Sequence, residues 1–218
     1  MRFDLHFHTV YSDGTASPQV MIKMIQNRGL DGFSVTDHDT VGDVDLYQKL
    51  ARKYDLLYVC GIEITTEKGH LLAYCPPDAA DILEKLNPFQ PLEFYVKQAE
   101  NSPVILAPAH PFDYFRHGMG SVLFDHPWSA LETFNGSTVF PFSNRKAEKA
   151  AQILHLPGIG GSDAHTKYYV GLTYTYTKKV SSAEEFLHEI KKGRTSTGGQ
   201  HLNIFQFSRR ILKSKILK

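Results

Sequence analysis

Short segments that lie far apart in this chain combine histidine and carboxylate residues at the spacing of metal ligands. They contain His6, His8, Asp13, His38, His110, Asp163 and His165. Alternate residues of a strand point to the same face, so His6 and His8 can reach one ion, and so can Asp163 and His165. Imidazole and carboxylate together suit Zn, Mn or Fe, among which the sequence does not choose. The spacing therefore predicts a metal centre.

Two further residues extend this candidate ligand set. Glu63 follows an apolar strand and a glycine, and a carboxylate can bridge two ions. His70 opens another strand seven residues later and is predicted to be a ligand, with a strand-edge histidine as the alternative. Asp37 and Asp39 flank His38, and either acid is expected to orient its ring by a hydrogen bond.

The composition indicates one ordinary globular domain spanning residues 1–218. The 218 residues are 42% hydrophobic and 22% charged, with a net charge of +1, which gives no bulk electrostatic reason to expect nucleic acid or membrane as a partner. Cys60 and Cys75 match no zinc or redox motif and are expected to be buried free thiols. With no signal peptide or apolar span recognised, the expected location is cytoplasmic. The sequence indicates no oligomeric state.

Predicted strands and helices alternate along most of the chain. Strands are predicted at 2–8, 32–36, 56–60, 70–74, 104–107, 130–134 and 159–161. Helices are predicted to begin at Pro18, about Asp43, Leu92, residue 143 and after Ser181 or Ser182. Such alternation favours parallel strands covered by helices, and about seven units suggest a barrel. The candidate ligands then lie at the carboxyl ends of strands, where barrel enzymes place their chemistry.

These motifs resemble those of the PHP (polymerase and histidinol phosphatase) family. The resemblance rests on His6-x-His8 with Ser12-Asp13-Gly14, Thr36-Asp37-His38-Asp39, Gly61-x-Glu63, Ala109-His110-Pro111 and Gly161-Ser162-Asp163-Ala164-His165. It implies an α/β fold, a distorted (β/α)7 barrel of PHP type, with up to three divalent ions. The implied ligands are His6, His8, Glu63 and Asp163 for one ion, Glu63, His70 and His110 for a second, and Asp13, His38 and His165 for a third.

Three divalent ions would keep this centre cationic despite three carboxylates, so an anion with several oxygens, such as phosphate, is the expected substrate group. The predicted function is hydrolysis of a phosphate monoester of a small soluble metabolite, histidinol-phosphate-like or nucleotide-like, by a metal-bound hydroxide at a trinuclear site. Arg116 is the first choice for contacting phosphate, with a solvated loop cation as the alternative. His117 is the candidate for protonating the leaving oxygen. Arg145 is a second anion candidate, for which a helix-surface role is favoured.

Two other functions remain open at this stage. The first is a nuclease acting on short DNA or RNA, which the near-neutral charge disfavours. The second is a non-catalytic scaffold, against which the complete ligand set argues. Some nucleotide phosphatases of the family carry a large insertion between the positions of His70 and His110, whereas only 39 residues separate them here. A more open site is expected.

Two segments beside these motifs have no assigned role. Aromatic residues crowd the loop after His110, and a lid, a base-stacking surface or simple packing would each explain them. They are Phe112, Tyr114, Phe115, Phe124 and Trp128. The last ten or so residues are predicted to form a basic tail or a terminal helix.

Overall fold

The structure is a computed structural model that describes residues 1–138 and 140–201. Its strands are β1 (Arg2–Asp4), β2 (Gly32–Phe33), β3 (Leu57–Tyr58), β4 (Cys60–Thr66), β5 (Gly69–Cys75), β6 (Ile105–Pro108), β7 (Leu131–Asn135), β8 (Gly158–Gly161), β9 (Thr173–Tyr176) and β10 (Ser196–Gly199). Its α-helices are α1 (Pro18–Asn27), α2 (Val44–Tyr54), α3 (Ala80–Glu84), α4 (Leu92–Ala99), α5 (Pro141–Leu154) and α6 (Ala183–Lys191). Short 3₁₀ turns cover Pro77–Ala79, Tyr114–Arg116 and Gly120–Asp125.

The helices form where the sequence supplies caps and an apolar stripe. In α2 the Asp43 side chain accepts a hydrogen bond from the Leu46 amide, which satisfies a free N–H of the first turn. In α6 the Ser182 side chain caps Glu185 in the same way. Helix α1 begins at a proline and buries Met21, Ile22 and Ile25 against the core. The predicted helices therefore exist, with ends shifted by a few residues.

The first three strands are shorter than predicted, the other predicted strands are as long as predicted or longer, and the strands lie in three sheets. The orders are β10-β9-β1-β2-β3, β4-β5-β6 and β7-β8. Parallel pairing holds for β1 with β2, β2 with β3, and β7 with β8. Two isolated parallel bridges, Phe7 to Ala164 and His38 to Glu63, connect the sheets beyond the carboxyl ends of β1, β2 and β8. These bridges bring four of the motifs together.

The prediction of parallel strands throughout is wrong for four of the seven strand pairings among the described residues. Strands β4, β5 and β6 pair antiparallel, and so do β9 with β1 and with β10. Only Glu67 and Lys68 separate β4 from β5, and a parallel partner requires a crossover of a dozen or more residues. Gly69 closes this hairpin at φ 135°, a conformation that side chains rarely adopt. The fold is mixed α/β, and closure into a (β/α)7 barrel stays a prediction.

The core packs the helices against these sheets. Cys60 and Cys75 are buried free thiols, as predicted, and lie opposite each other across β4 and β5.

Within the described residues, no helix combines the length and the apolar character needed to cross a membrane. The predicted basic tail lies outside the described residues, and a single domain over 1–218 stays a prediction.

Candidate metal centre

The structure brings together the side chains of all nine residues that the sequence singled out as metal ligands. They are His6, His8, Asp13, His38, Glu63, His70, His110, Asp163 and His165, and they fall into overlapping groups whose ligand atoms lie within 4.8 Å of one another. A cavity of about 390 Å³ opens over this cluster. The cluster is called the histidine–carboxylate centre below.

Glu63 lies in the middle of the centre and is almost completely buried. Its Oε2 lies 3.2 Å from Nε2 of both His6 and His8, and 3.4 Å from Nδ1 of His38. Its Oε1 lies 3.1 Å from Nδ1 of His70 and 3.0 Å from Nε2 of His110. Each carboxylate oxygen therefore faces a different set of imidazoles, the arrangement that a bridging carboxylate requires.

Asp13 and Asp163 flank the centre on either side of His165. Asp13 is half exposed, and its Oδ2 lies 3.0 Å from Nε2 of His165. The Oδ1 of Asp163 lies 3.4 Å from Nε2 of His8 and 3.8 Å from Nε2 of His6. The two acids thus extend the centre from the buried floor, where Asp163 lies, to the rim of the cavity.

Several buried imidazole nitrogens of the centre have no hydrogen-bond partner among the described residues. They are Nε2 of His6, both ring nitrogens of His8, Nδ1 of His38 and Nδ1 of His110. An unpaired polar atom in the interior costs about 1–3 kcal/mol, so such atoms call for an explanation. Lone pairs of imidazole directed into a carboxylate-rich cluster are suited to divalent cations. The residues present therefore fit metal ions.

The electrostatics of the centre also favour added positive charge. Burial disfavours the charged form of Glu63, but the surrounding histidines outweigh burial, and its pKa lies well below the usual range. Burial alone would lower the pKa of His8, yet Asp163 and Glu63 raise it to about 9. Burial is the main cause that lowers the pKa of His38, at the more exposed side. The buried floor is therefore the more strongly cation-attracting part.

Glu132 is a buried member of the site that the sequence analysis missed. Its Oε1 lies 2.9 Å from Nδ1 of His6, and its Oε2 accepts a 2.6 Å hydrogen bond from the amide of His110. Asn135 donates from Nδ2 to both Glu132 and Asp163, at 3.0 and 2.9 Å. With Nδ1 of His6 donating to Glu132, its Nε2 is free to act as a ligand. The sequence feature that could have identified Glu132 is its position as a charged residue within the strand predicted at 130–134.

Asp37 and Asp39 have a different role from the one expected. The carboxylate of Asp37 accepts hydrogen bonds from Thr9 and Ser12, and that of Asp39 accepts two from Thr65. The prediction that one of them orients His38 is therefore wrong. Each acid instead fixes the backbone of a neighbouring segment, Asp37 through the Thr9 amide and Asp39 through the Thr65 amide.

A second missed acid, Asp4, connects the first strand to the segment after β8. It accepts hydrogen bonds from the amide and hydroxyl of Ser162, at 2.8 and 2.6 Å, and from the amide of Gly171, at 2.6 Å. Burial raises the pKa of Asp4 to about 6, although these hydrogen bonds oppose the shift. Asp4 therefore sets where β1, with His6 beyond it, lies relative to Asp163.

Two residues of the centre have backbone conformations that favour glycine. His110 has φ 31° and Asp163 has φ 50°. Such conformations cost on the order of 1–3 kcal/mol each and persist where the surrounding structure enforces them. Here the His110 amide is bonded to Glu132, and the Asp163 amide donates to the carbonyl of His6 at 2.6 Å. Strain at both positions is typical of functional sites.

The loop after His110 places Arg116 and His117 on the wall of the cavity. The Arg116 guanidinium forms a fork with the Asp163 carboxylate, through Nη1 to Oδ2 and through Nη2 to Oδ1 at 2.7 Å. The His117 ring lies 5.3 Å from that of His70. Arg145 is exposed beside a separate cavity of about 270 Å³ that Asn144 and Glu148 also line.

The groups of neighbouring ligand atoms overlap only in part with the ion sites that the family resemblance implies. The observed groups are His6–His8–Glu63, His38–Glu63–His70, His6–His110–Asp163 and His8–Asp13–His38–His165. The first and last correspond closely to two implied ion sites. In the second, His38 stands where the resemblance placed His110, although His110 also contacts Glu63.

Three curated proteins show sequence similarity to parts of the chain. An uncharacterized protein of Methanocaldococcus jannaschii, MJ1587, is 29% identical over 147 residues, 62% of this chain and 82% of that protein. A 5'-3' exoribonuclease of Haemophilus influenzae is 31% identical over 65 residues, 30% of this chain. A phosphoribosyl 1,2-cyclic phosphate 1,2-diphosphodiesterase of Eggerthella lenta is 28% identical over 89 residues, 38% of this chain. The matches span 24% and 34% of the latter two proteins.

Solved structures share the fold over nearly the whole chain. A two-domain protein of Bacteroides vulgatus, which contains a predicted PHP-like metal-dependent phosphoesterase, matches with a TM-score of 0.73 at 21% identity, over 98% of this chain and 69% of that one. A candidate metal-dependent phosphoesterase of Bifidobacterium adolescentis matches with a TM-score of 0.67 at 16% identity, over 93% of this chain and 97% of that one. Residues 141–195 match the family model PHP_C, described as PHP-associated. These findings confirm the resemblance of the chain to the PHP family that its motifs predicted.

Proposed function

We propose that this protein is a metal-dependent phosphoesterase that hydrolyses a phosphate monoester of a small soluble metabolite. The observation that carries the proposal is Glu63, whose two oxygens face five imidazoles in a cluster with unpaired buried ring nitrogens. Up to three divalent ions, Zn, Mn or Fe, would be held by the nine residues of the histidine–carboxylate centre. When bound, they supply Lewis acidity and lower the pKa of water.

The chain's own residues prepare the centre for this chemistry. Glu132 holds the Nδ1 proton of His6, so that the opposite nitrogen faces Glu63. Asn135 joins Glu132 to Asp163 and keeps both carboxylates in place without adding charge. Glu132 also adds a negative charge that the sequence analysis had not counted, and Arg116 offsets it. The centre with its ions would therefore stay cationic and suited to phosphate.

Arg116 and His117 are the proposed catalytic residues on the substrate side. The Arg116 guanidinium is only 15% exposed at the edge of the cavity, and its five N–H donors can serve Asp163 and a phosphate oxygen together. His117 is exposed on the same wall, where its ring can donate a proton to the departing alkoxide. Arg116 and His117 are adjacent in sequence, so one loop would place both against the substrate.

A complete barrel would be the scaffold of this site. The parallel bridges Phe7–Ala164 and His38–Glu63 support the proposal, because they connect the three sheets at the end where the centre lies. A nuclease remains the second candidate, which the exoribonuclease relative favours over a short stretch.

The proposal is tested by a phosphate-release screen on protein loaded with Mn, Zn or Fe. The substrates are histidinol phosphate, nucleoside mono- and bisphosphates, a phosphotyrosine peptide and a short oligonucleotide. Phosphate release that requires metal and is lost in His110→Ala supports a phosphoesterase. Cleavage of the oligonucleotide alone would favour the nuclease. A folded protein that binds no metal and releases no phosphate would favour a scaffold.

A further inference from the structure

Three phenylalanines form a continuous exposed row that begins at the wall of the cavity. Phe115 lines the cavity and is 76% exposed. Its ring centroid lies 6.0 Å from that of Phe140 at an interplanar angle of 57°. Phe140 in turn stacks on Phe142 at 5.2 Å and 16°. These residues are called the phenylalanine row.

The row combines residues that are distant in sequence. Phe115 belongs to the loop that carries Arg116 and His117, whereas Phe140 and Phe142 lie at the start of α5. Phe112 and Trp128 of the same aromatic-rich region are packed inward, and the Trp128 ring nitrogen donates to the Leu123 carbonyl. Packing therefore explains Phe112 and Trp128 but not the row, whose side chains keep much of their surface in water.

Exposed aromatic surface of this kind is costly and typical of binding grooves. Apolar surface left in water forgoes the stabilisation that burial would give, and adjoining apolar residues with a polar rim commonly mark ligand sites. The polar rim here is Arg116 on one side and Lys146 on the other, with the Lys146 ammonium 5.4 Å from the centre of the Phe142 ring. The row therefore extends from the proposed phosphate position, where Phe115 and Arg116 line the cavity, to Lys146 at its far end.

We infer that the phenylalanine row binds the nucleobase of a nucleoside monophosphate whose phosphate lies at the histidine–carboxylate centre, an inference that rests on the proposed phosphoesterase function. A base stacks on aromatic rings through its π face, and no hydrogen-bonding pattern is required. The row would thus select phosphate esters that carry a planar ring over esters of plain sugars. It would do so without an added covering domain, because the ring faces lie on the loop after His110 and at the start of α5.

The inference is tested with two substrates that differ only in the base, adenosine 5'-monophosphate and ribose 5-phosphate. The variants are Phe140→Leu and Phe142→Leu, which keep apolar bulk but remove the ring. The matched control is Tyr176→Leu, which alters an aromatic residue that is 52% exposed and pairs with Arg2 at the opposite end of β1 from His6. We expect the preference for the adenosine ester, measured as the ratio of kcat/KM values, to fall about tenfold in each row variant. The control should keep the wild-type ratio.

A binding readout separates stacking from catalysis. 2-Aminopurine riboside 5'-monophosphate loses fluorescence when its base stacks, and the signal is read in the first milliseconds after mixing, before turnover. Wild-type protein and the control should quench the probe, and the row variants should quench it less. Equal kcat/KM values for the two substrates in wild type, or unchanged quenching in the variants, would overturn the inference and leave the phosphoesterase function standing. If the wild-type protein hydrolyses none of the phosphate esters tested, the proposed function itself would be overturned.

Discussion

Replacement of Glu132 by glutamine tests whether the residues behind the centre prepare it for metal. Glu132 uses both oxygens to accept hydrogen bonds, from Nδ1 of His6 and from the amide of His110. Glutamine has one oxygen and one NH₂ group, so one of these donors would face another donor. Because Glu132 is 1% exposed, water cannot relieve the conflict. The alternative is that His6 accepts from the glutamine and carries its proton on Nε2, 3.2 Å from Glu63.

Either outcome should lower the affinity of the centre for metal ions by a predictable amount. In one case His6 loses its free ligand nitrogen, and in the other the backbone at His110 must shift. Changes to residues that orient metal ligands typically reduce metal affinity or activity about 10- to 100-fold, which corresponds to about 1.4–2.8 kcal/mol. We therefore expect Glu132→Gln to lose metal at a chelator concentration at least about tenfold lower than wild type does.

The assay is metal content per chain after dialysis against graded chelator, together with phosphate release and thermal unfolding. The control is Glu189→Gln, another buried glutamate, which lies on α6 and pairs with Lys178 and Arg194 at 3.4 and 3.5 Å. The control should lose some stability and keep its metal. The reasoning is refuted if both variants hold metal as tightly as wild type, or if Glu132→Gln alters only the unfolding temperature.

Three further changes separate ligands, substrate contacts and packing. Asp163→Ala or His8→Ala should abolish turnover and lower metal content, while circular dichroism still reports a folded protein; unchanged turnover in both would contradict the ligand assignment. Arg116→Lys keeps the charge but loses the fork, so KM for the phosphate ester should rise about tenfold with metal content retained; an unchanged KM would exclude a phosphate contact. Gly161→Ala would place a Cβ 2.4 Å from Cβ of His6, so β8 must move and both metal content and unfolding temperature should fall; a wild-type unfolding temperature would contradict this contact.

Much of the centre was predictable because its residues recur in short motifs that follow apolar runs. The i, i+2 spacing of His6 with His8 predicted a shared site only together with the other motifs, and the structure brings both beside Glu63. Glu132 was not predicted, since its role arises from a contact 126 residues from His6 and no local pattern encodes such a contact. A charged residue within an apolar strand was the available signal.

The strand directions were less predictable than the strands themselves. An apolar segment predicted β5 near its observed position, but the strand predicted at 56–60 matches β3 and only the first residue of β4, and periodicity carries no information about direction. In the structure β4 extends to Thr66, so only two residues separate it from β5, and such a short connection permits only a hairpin. Strands β9 and β10 were missed, since their Thr, Tyr, Ser and Gly residues lack an apolar run.

The hydrogen bonds of Asp4 have a consequence for how the protein is made. This residue near the amino terminus bonds to Ser162 and Gly171, which follow it by 158 and 167 residues. Contacts at such separations form late, because a long loop must close before they are gained. A ribosome-bound chain would therefore need to expose residues as far as Gly171 before it could retain metal, and termination before that point would leave fragments with histidines but no organised centre.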